Sequence, residues 1–454
     1  GLYCVNSDAF VIAYLGIIKA GATVIPINLL LTPAEITYIL NDAEAKGVIY
    51  HEAFSQSVAA FRDNVNSLNN FYCVGQNRAN DSDTFFTDVF QTDAALAPPN
   101  IDASKDLAAI LYTSGTTGKP KGAMLSHSNL ANNCKSVASS CKLHAGEDIF
   151  LTCLPMFHAF AATVCMLTPA LHGLTVLPIA KFEPNLVADT IEKGKATILP
   201  AVPSMYNVLL GLSDEQVKKF SSLRYCISGG AAMPEEVMKQ FEEKFGIPIY
   251  EGYGPTECSP VTNVNPIDGK RKTLSVGLPI ADVEMQIMDD DGKVLADNEI
   301  GEICVKGPNV MQGYWKKPEE TAQSFHGEWF RTGDLGKRDD EGYYFIVDRI
   351  KDMVIVNGMN VYPRIVEEVL YQHPDIKECA VVGLNDDLHG EIVAAFIVSD
   401  NKELSSADIR KFCNDKLGRY QIPKKYFFPD ELPKNAAGKI LKRELKAQQE
   451  ATSA

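Results

Sequence analysis

Residues 112–122, YTSGTTGKPKG, concentrate the residue types that hold polyphosphates. Thr113, Ser114, Thr116 and Thr117 offer hydroxyls, and Lys119 and Lys121 add positive charge. Gly115, Gly118 and Gly122 open backbone conformations closed to other residues, so that amides can turn toward an anion. The spacing excludes a Walker A loop, which needs four residues between its first glycine and a Gly-Lys-Ser/Thr end; here Gly118-Lys119 is followed by Pro120, and only two residues lie between Gly115 and Gly118. Turns use the same residue types, but an ordered string of this length is far harder to meet by chance than a lone G-x-G-x-x-G.

Further candidates lie downstream. In EGYGPTE, residues 251–257, Tyr253 can stack on a purine, Thr256 can give its hydroxyl to a phosphate, and Glu257 is a hard oxygen ligand suited to Mg²⁺. His158 in PMFHAFA follows a predicted strand, at the edge where open α/β sheets bind ligands, although a single histidine is more often structural. Small residues at 229–232, including Gly230 and Ala231, form either a plain tight turn or a surface on which a flat base or an acyl chain can lie. Asp334 in FRTGDL and Arg349 in VDRIKD read as an ordinary surface pair, and Lys439 in PKNAAGKILKREL as a solvated turn lysine, unless their wider context says otherwise.

These residues need a frame. Helical periodicity over 8–20 and 33–41 alternates with apolar runs at 22–28, 47–50, 71–74 and 107–111, and a polar stretch over 75–106 reads as a loop. After the phosphate loop, residues 123–133 can open a helix, running from about Ser126. Strands predicted at 149–154, 175–178, 196–199, 224–228 and 247–250 alternate with helices at 185–193 and 235–245, which implies an α/β fold with a parallel, two-sided sheet. From about 276 the texture becomes short strands and turns, a small distorted β-barrel. Residues 348–351 mark a boundary, followed by a small α+β unit with helices at 364–371 and 405–417 and strands at 379–384 and 392–398. Residues 1–347 therefore read as a large domain, α/β to about 275, and 352–454 as a small one.

With 454 residues, 46% hydrophobic and 22% charged, the chain has the composition of a globular protein of about three domain-sized units, and it shows no integral membrane segment. A net charge of −15 disfavours nonspecific binding to nucleic acid or an anionic membrane. The 11 cysteines show no CxxC pair, and Cys141 and His144 lack a second pair that would make them metal ligands. A reducing cytoplasm fits this usage. GLYCVNS at the start resembles a strand from inside a subdomain, so some N-terminal structure is expected to precede it.

Taken together, the ordered motifs resemble those of the adenylate-forming enzymes, the superfamily of acyl-CoA synthetases, carrier-loading adenylation domains and firefly-type luciferases, and most closely the bacterial medium- and long-chain fatty-acid CoA ligases. The resemblance implies ATP, Mg²⁺ and coenzyme A as reactants and a mobile C-terminal domain. It implies that Lys439 is the catalytic cation bridging carboxylate and α-phosphate, and that residues 113–119 with Lys121 secure the departing phosphates. It places His158 between acyl pocket and phosphate, Gly230 and Ala231 against base or acyl chain, and Asp334 with Arg349 at the ribose hydroxyls. Lys351 falls at the hinge position within 348–351, and Gly358 in NGMNVYP would line the thiol tunnel. Arg419, Lys424 and Lys425 could meet coenzyme A phosphates or form a solvated face. Residues 229–233 and 250–264 contain no Arg or Lys for a second carboxylate, and FHAFA lacks the Asp that amino-acid-activating relatives carry, so an unbranched fatty acid is expected. A carrier-loading ligase, a luciferase-like oxygenase and a nucleotide-binding homologue are the alternatives.

Overall fold

The computed structural model describes residues 1–91, 97–113, 119–386, 388–436 and 438–453. Strands Leu2–Tyr3, Gly47–His51, Asn70–Val74 and Thr84–Phe85 form a first, all-parallel sheet. Its helix Asp8–Lys19 starts where Ser7 accepts a hydrogen bond from the amide of Phe10, and Thr32 and Glu35 form a reciprocal capping box on helix Pro33–Asp42. The run at 22–28 is buried as expected, but it is not a ladder strand. Pro26 has no N–H to donate, and the run joins its neighbours only through the isolated bridges Leu2↔Pro26 and Val24↔Ala109. The stretch 75–106, read as a loop, contributes the strand Thr84–Phe85.

The helix expected from about Ser126 is present, but residues 123–126, also read as able to open it, belong to a strand. Leu107–Thr113 pairs antiparallel with Lys121–Ser126, with Thr113 opposite Lys121. The ladder register, with Ala123 opposite Leu111 and Leu125 opposite Ala109, makes these residues a strand. The helix begins only at His127, where Ser126 and Asn129 exchange capping hydrogen bonds, and it ends at Ser140.

Seven strands form the central sheet in the order Leu278–Pro279, Asn263–Val264, Ile249–Tyr253, Tyr225–Ser228, Ile198–Ala201, Ile149–Thr152, Thr175–Pro178. The last five are parallel and the first two add antiparallel edges. Helix Glu235–Phe245 follows Pro234 and stops at Gly246, whose φ of 69° is the left-handed cap glycine allows. Over 276–347 the short strands form an antiparallel sheet, Glu284–Met288, Gly301–Lys306, Trp329–Arg338, Phe325–His326, and Tyr344–Arg349 pairs with Trp329–Arg338 as well.

The C-terminal domain has its own cores. Along strand Glu378–Asp386, Cys379 and Val381 join one buried cluster with helices Pro363–Tyr371 and Ser406–Asn414, while Ala380, Val382 and Leu384 join another that includes Leu445 of helix Lys442–Ser453. Alternation thus buries both faces of this sheet. All 11 cysteines of the chain are buried free thiols. No described helix is long and apolar enough to cross a membrane.

Candidate active site

Four neighbouring parallel strands, Ile149–Thr152, Ile198–Ala201, Tyr225–Ser228 and Ile249–Tyr253, send their carboxyl ends into two adjoining cavities. The larger, about 550 Å³, is walled by Val137 and Cys141 at the end of helix His127–Ser140, by Val164, Ile227, Val261 and Val264, and by Gly229, Gly252 and Gly254. Among the described residues no Lys or Arg lines it. At Gly254 a Cβ would stand 1.8 Å from the carbonyl oxygen of Pro260, so the wall there can only be glycine. The smaller cavity, about 320 Å³, has Asn435 and Lys439 of the C-terminal domain on one side and Pro155 and Val202 of the large domain on the other. His158, Phe160 and Gly230 line both.

Lys439 follows a tight turn in which the amide of Gly438 donates to the carbonyl of Asn435 at 2.9 Å and the Asn435 side chain accepts from the amide of Lys439 at 2.9 Å. Gly438 has φ of 81°, and Ser204 of the large domain donates its hydroxyl to the Gly438 carbonyl at 3.0 Å. Burial pulls the Lys439 ammonium down to about 8; Arg349 and Lys351 push the same way, Asp334 and Asp352 oppose them. An arriving anion reverses that shift. Burial, and secondly the charge of Lys439, lower His158 to about 4. The imidazole is therefore neutral, and because Nδ1 accepts from the amide of Phe160 at 3.3 Å, its proton is on Nε2.

A second group lies past the end of strand Ile249–Tyr253. Tyr253 donates its hydroxyl to Asp334 Oδ2 at 2.6 Å, and Arg349 Nε stands 3.1 Å from Asp334 Oδ1. Strand pairing sets this geometry, since Asp334 and Arg349 are partners in the ladder. Thr256 lines the larger cavity, and Glu257 accepts a 2.8 Å hydrogen bond from the Tyr314 hydroxyl. Lys121 Nζ lies 5.2 Å from the centre of the Tyr314 ring, which ties strand Lys121–Ser126 to Glu257. Lys119 Nζ lies over Tyr38 at 5.5 Å, and the Thr113 hydroxyl reaches the Lys121 carbonyl at 3.5 Å.

Lys439, His158, Gly230, Tyr253 and Thr256 thus line the two adjoining cavities, while Asp334 and Arg349 lie behind Tyr253 and Glu257 follows Thr256 without lining either. Ser114, Gly115, Thr116, Thr117 and Gly118 lie outside the described residues. Ala231 adjoins Gly230 without lining either cavity, and Gly358 is exposed at the turn between strands Val354–Val356 and Met359–Val361, away from both. Lys351 sits in a short 3₁₀ turn, Ile350–Asp352. Sequence reasoning passed over Tyr314 and Val137, and weighed Cys141 only as a metal ligand. Tyr314 is 57 positions from the carboxylate it orients, and no local pattern marks it.

The AMP-binding enzyme family matches residues 1–315, and the AMP-binding enzyme C-terminal domain matches residues 365–439. A long-chain-fatty-acid–CoA ligase of Bacillus subtilis is 38% identical over 467 aligned residues, covering 97% of this chain and 83% of the relative. Among solved structures, ATP-bound MatB from Rhodopseudomonas palustris superposes with a TM-score of 0.91 at 33% identity, covering 100% of this chain and 89% of that one. The apo form of the same protein superposes with a TM-score of 0.77 over the same shares.

Proposed function

The chain belongs to the AMP-binding enzyme family, and from that premise we propose that it is an ATP-dependent fatty-acid–CoA ligase. A substrate carboxylate oxygen attacks the α-phosphorus of ATP, the bond to the bridging oxygen breaks, and pyrophosphate leaves with the electron pair. The thiol of coenzyme A, deprotonated, then attacks the acyl carbon of the acyl adenylate and AMP leaves. The observation that carries this reading is the entry of Lys439 into the space it shares with His158, beside a cavity of about 550 Å³ with apolar walls.

The first step brings two anions together, so the protein's task is placement and neutralisation of charge. Lys439 supplies the cation, and substrate anions restore the proton affinity that burial removes. His158 offers Nε2–H to a substrate oxygen. Asp334, braced by Tyr253 and Arg349, accepts from ribose hydroxyls, and the loop over 112–122 with Lys119 and Lys121 holds the β- and γ-phosphates. Among the described residues no three His, Cys, Asp or Glu side chains form a metal cage, whereas Glu257 is a single carboxylate fixed by Tyr314. That donor set suits Mg²⁺, which takes one or two carboxylates together with water and substrate phosphates. Glu257 would hold the ion, whose charge would offset that of the leaving pyrophosphate.

The apolar walls favour an unbranched medium- or long-chain acid. For the second step, residues 352–454 turn about 348–351 with Lys351 as the hinge, withdrawing Lys439 and bringing Gly358 to the thiol path. The free, buried thiols suit a reducing cytoplasmic setting. Pyrophosphate release from ATP across a panel of acids, with and without coenzyme A, tests the reading. Fatty-acid-dependent release with acyl-CoA as product is expected; release without any acyl-CoA, or no release with any acid, overturns it.

A further inference from the structure

Arg364 opens helix Pro363–Tyr371 of the C-terminal domain, yet its side chain is only 11% exposed, because it is sunk into the large domain. Its Nη1 donates to the carbonyl of Ile346 at 2.8 Å, and its backbone amide to Asp348 Oδ2 at 3.0 Å. Nη2 has no hydrogen-bond acceptor and stands 3.9 Å from Oε1 of Glu251. Glu251, with its side chain 2% exposed, lies on the strand that carries Tyr253. Its Oε1 accepts from the amide of Met233 at 3.2 Å, while Oε2 has no partner. One turn further along the helix, Glu368 accepts from the amide of Glu235 at 3.4 Å, on the first residue of a large-domain helix.

A buried carboxylate facing a buried guanidinium across a domain boundary is a switchable contact. Each charge is compensated only while the domains are docked, and removing either partner leaves an uncompensated charge. The open lone pairs on Oε2 and the idle N–H groups on Nη2 distinguish this pair from a saturated structural salt bridge, such as the bidentate contact of Arg62 with Asp83. The proton affinities agree: burial raises Glu251 to about 7, with Arg364 holding it lower than burial alone would, and Glu368 is raised to about 7 in the same way. Neither Glu251 nor Arg364 lines either of the two cavities described above, which sets both apart from the reacting atoms.

We infer that Glu251 and Arg364 form a latch that holds the C-terminal domain in the orientation delivering Lys439, and that opens when the domain turns for the thiol step. They are positioning residues for the first half-reaction only, and the inference rests on the two-step reading above.

The test is a double-mutant cycle of Glu251→Gln, Arg364→Met and their combination, with Arg364→Lys as the variant that keeps the charge. Adenylation is read by ATP–pyrophosphate exchange with a fatty acid, and the second half-reaction by acyl-CoA formation from supplied acyl adenylate and coenzyme A. Small-angle scattering of the ligand-free proteins reports domain docking and folding. Each single variant should lose about tenfold in exchange, the double variant no more than the worse single, and Arg364→Lys should recover part of the loss. Acyl-CoA formation from acyl adenylate should stay within about twofold of the parent, and scattering should show a more extended particle. Equal loss in both half-reactions, multiplicative effects in the double variant, or unchanged scattering each overturns the latch. Absence of exchange by the parent protein with every acid overturns the two-step reading instead, and scattering then judges the latch alone.

Discussion

Lys439, on a turn of the C-terminal domain, helps keep His158 of the large domain uncharged. Burial is the greater cause of the fall of the imidazole to about 4, and the ammonium is the other. Where the two meet in the smaller cavity, Lys439 presents a cation and His158 a neutral N–H donor to incoming oxygens. Since the Lys439 ammonium falls from 10.5 to about 8 in the free protein, its charge is lost as pH rises through that value. The kcat/KM of adenylation should fall by about tenfold per pH unit above about 8. His158, neutral down to about 4, should add no limb near neutral pH. In Lys439→Arg, any remaining activity should lack the basic limb. A basic limb unchanged in Lys439→Arg would assign it to another group.

Lys439→Ala should reduce acyl-adenylate formation by about a thousandfold, the scale on which a preorganised charge stabilises a transition state. Nucleotide binding and acyl-CoA formation from supplied acyl adenylate should persist. Isothermal titration and the two separated half-reactions measure this, and equal damage to both would refute the role.

Tyr314→Phe removes the hydroxyl that donates to Glu257 at 2.8 Å. A carboxylate without its orienting partner typically loses about tenfold in metal affinity. The Mg²⁺ concentration for half-maximal pyrophosphate release should rise accordingly, with the rate recovering at excess Mg²⁺. A lower rate that no amount of Mg²⁺ restores would mean that the hydroxyl serves something other than Glu257.

Each methylene buried against Val164, Ile227 and Val264 should contribute about 0.8 kcal/mol, roughly a fourfold gain in kcat/KM per carbon until the cavity is full. Val137→Phe should shift the optimum to shorter acids, because the new ring occupies part of the same wall. Comparing straight-chain acids from acetate upward with 4-coumarate and benzoate tests both points. A flat profile, or preference for the aromatic acids, contradicts them.

Lys351→Pro fixes φ in the 3₁₀ turn Ile350–Asp352. Pyrophosphate release in the first turnover should continue while acyl-CoA formation slows by about tenfold or more. Unimpaired transfer would place the pivot elsewhere.

Contiguous strings were legible in the sequence as candidates: the loop over 112–122 and EGYGPTE stand out within a few residues, whereas the turn before Lys439 gained meaning only from the order of the other motifs. Helix Glu235–Phe245 was legible too, because Pro234 and Gly246 punctuate it. Residues 121–126 misled because a strand returning along its neighbour has no helical or turn signature of its own, and 22–28 because Pro26 breaks a ladder without breaking burial. Glu257 with Tyr314 and Glu251 with Arg364 were beyond reach for another reason. Those contacts exist only after distant elements dock, and nothing near either residue in the chain encodes its partner.

The buried thiols have a chemical consequence. An acyl adenylate is a mixed anhydride that any accessible thiolate will attack, and this chain carries its own cysteines, with Cys141 in the wall of the larger cavity. Desolvation raises Cys141 and Cys153 to about 12. At neutral pH only about one in 10⁵ of such groups is ionised. Burial thereby keeps the cavity-wall thiol of Cys141 in its unreactive protonated form, so that an acyl adenylate held there meets no thiolate from that wall.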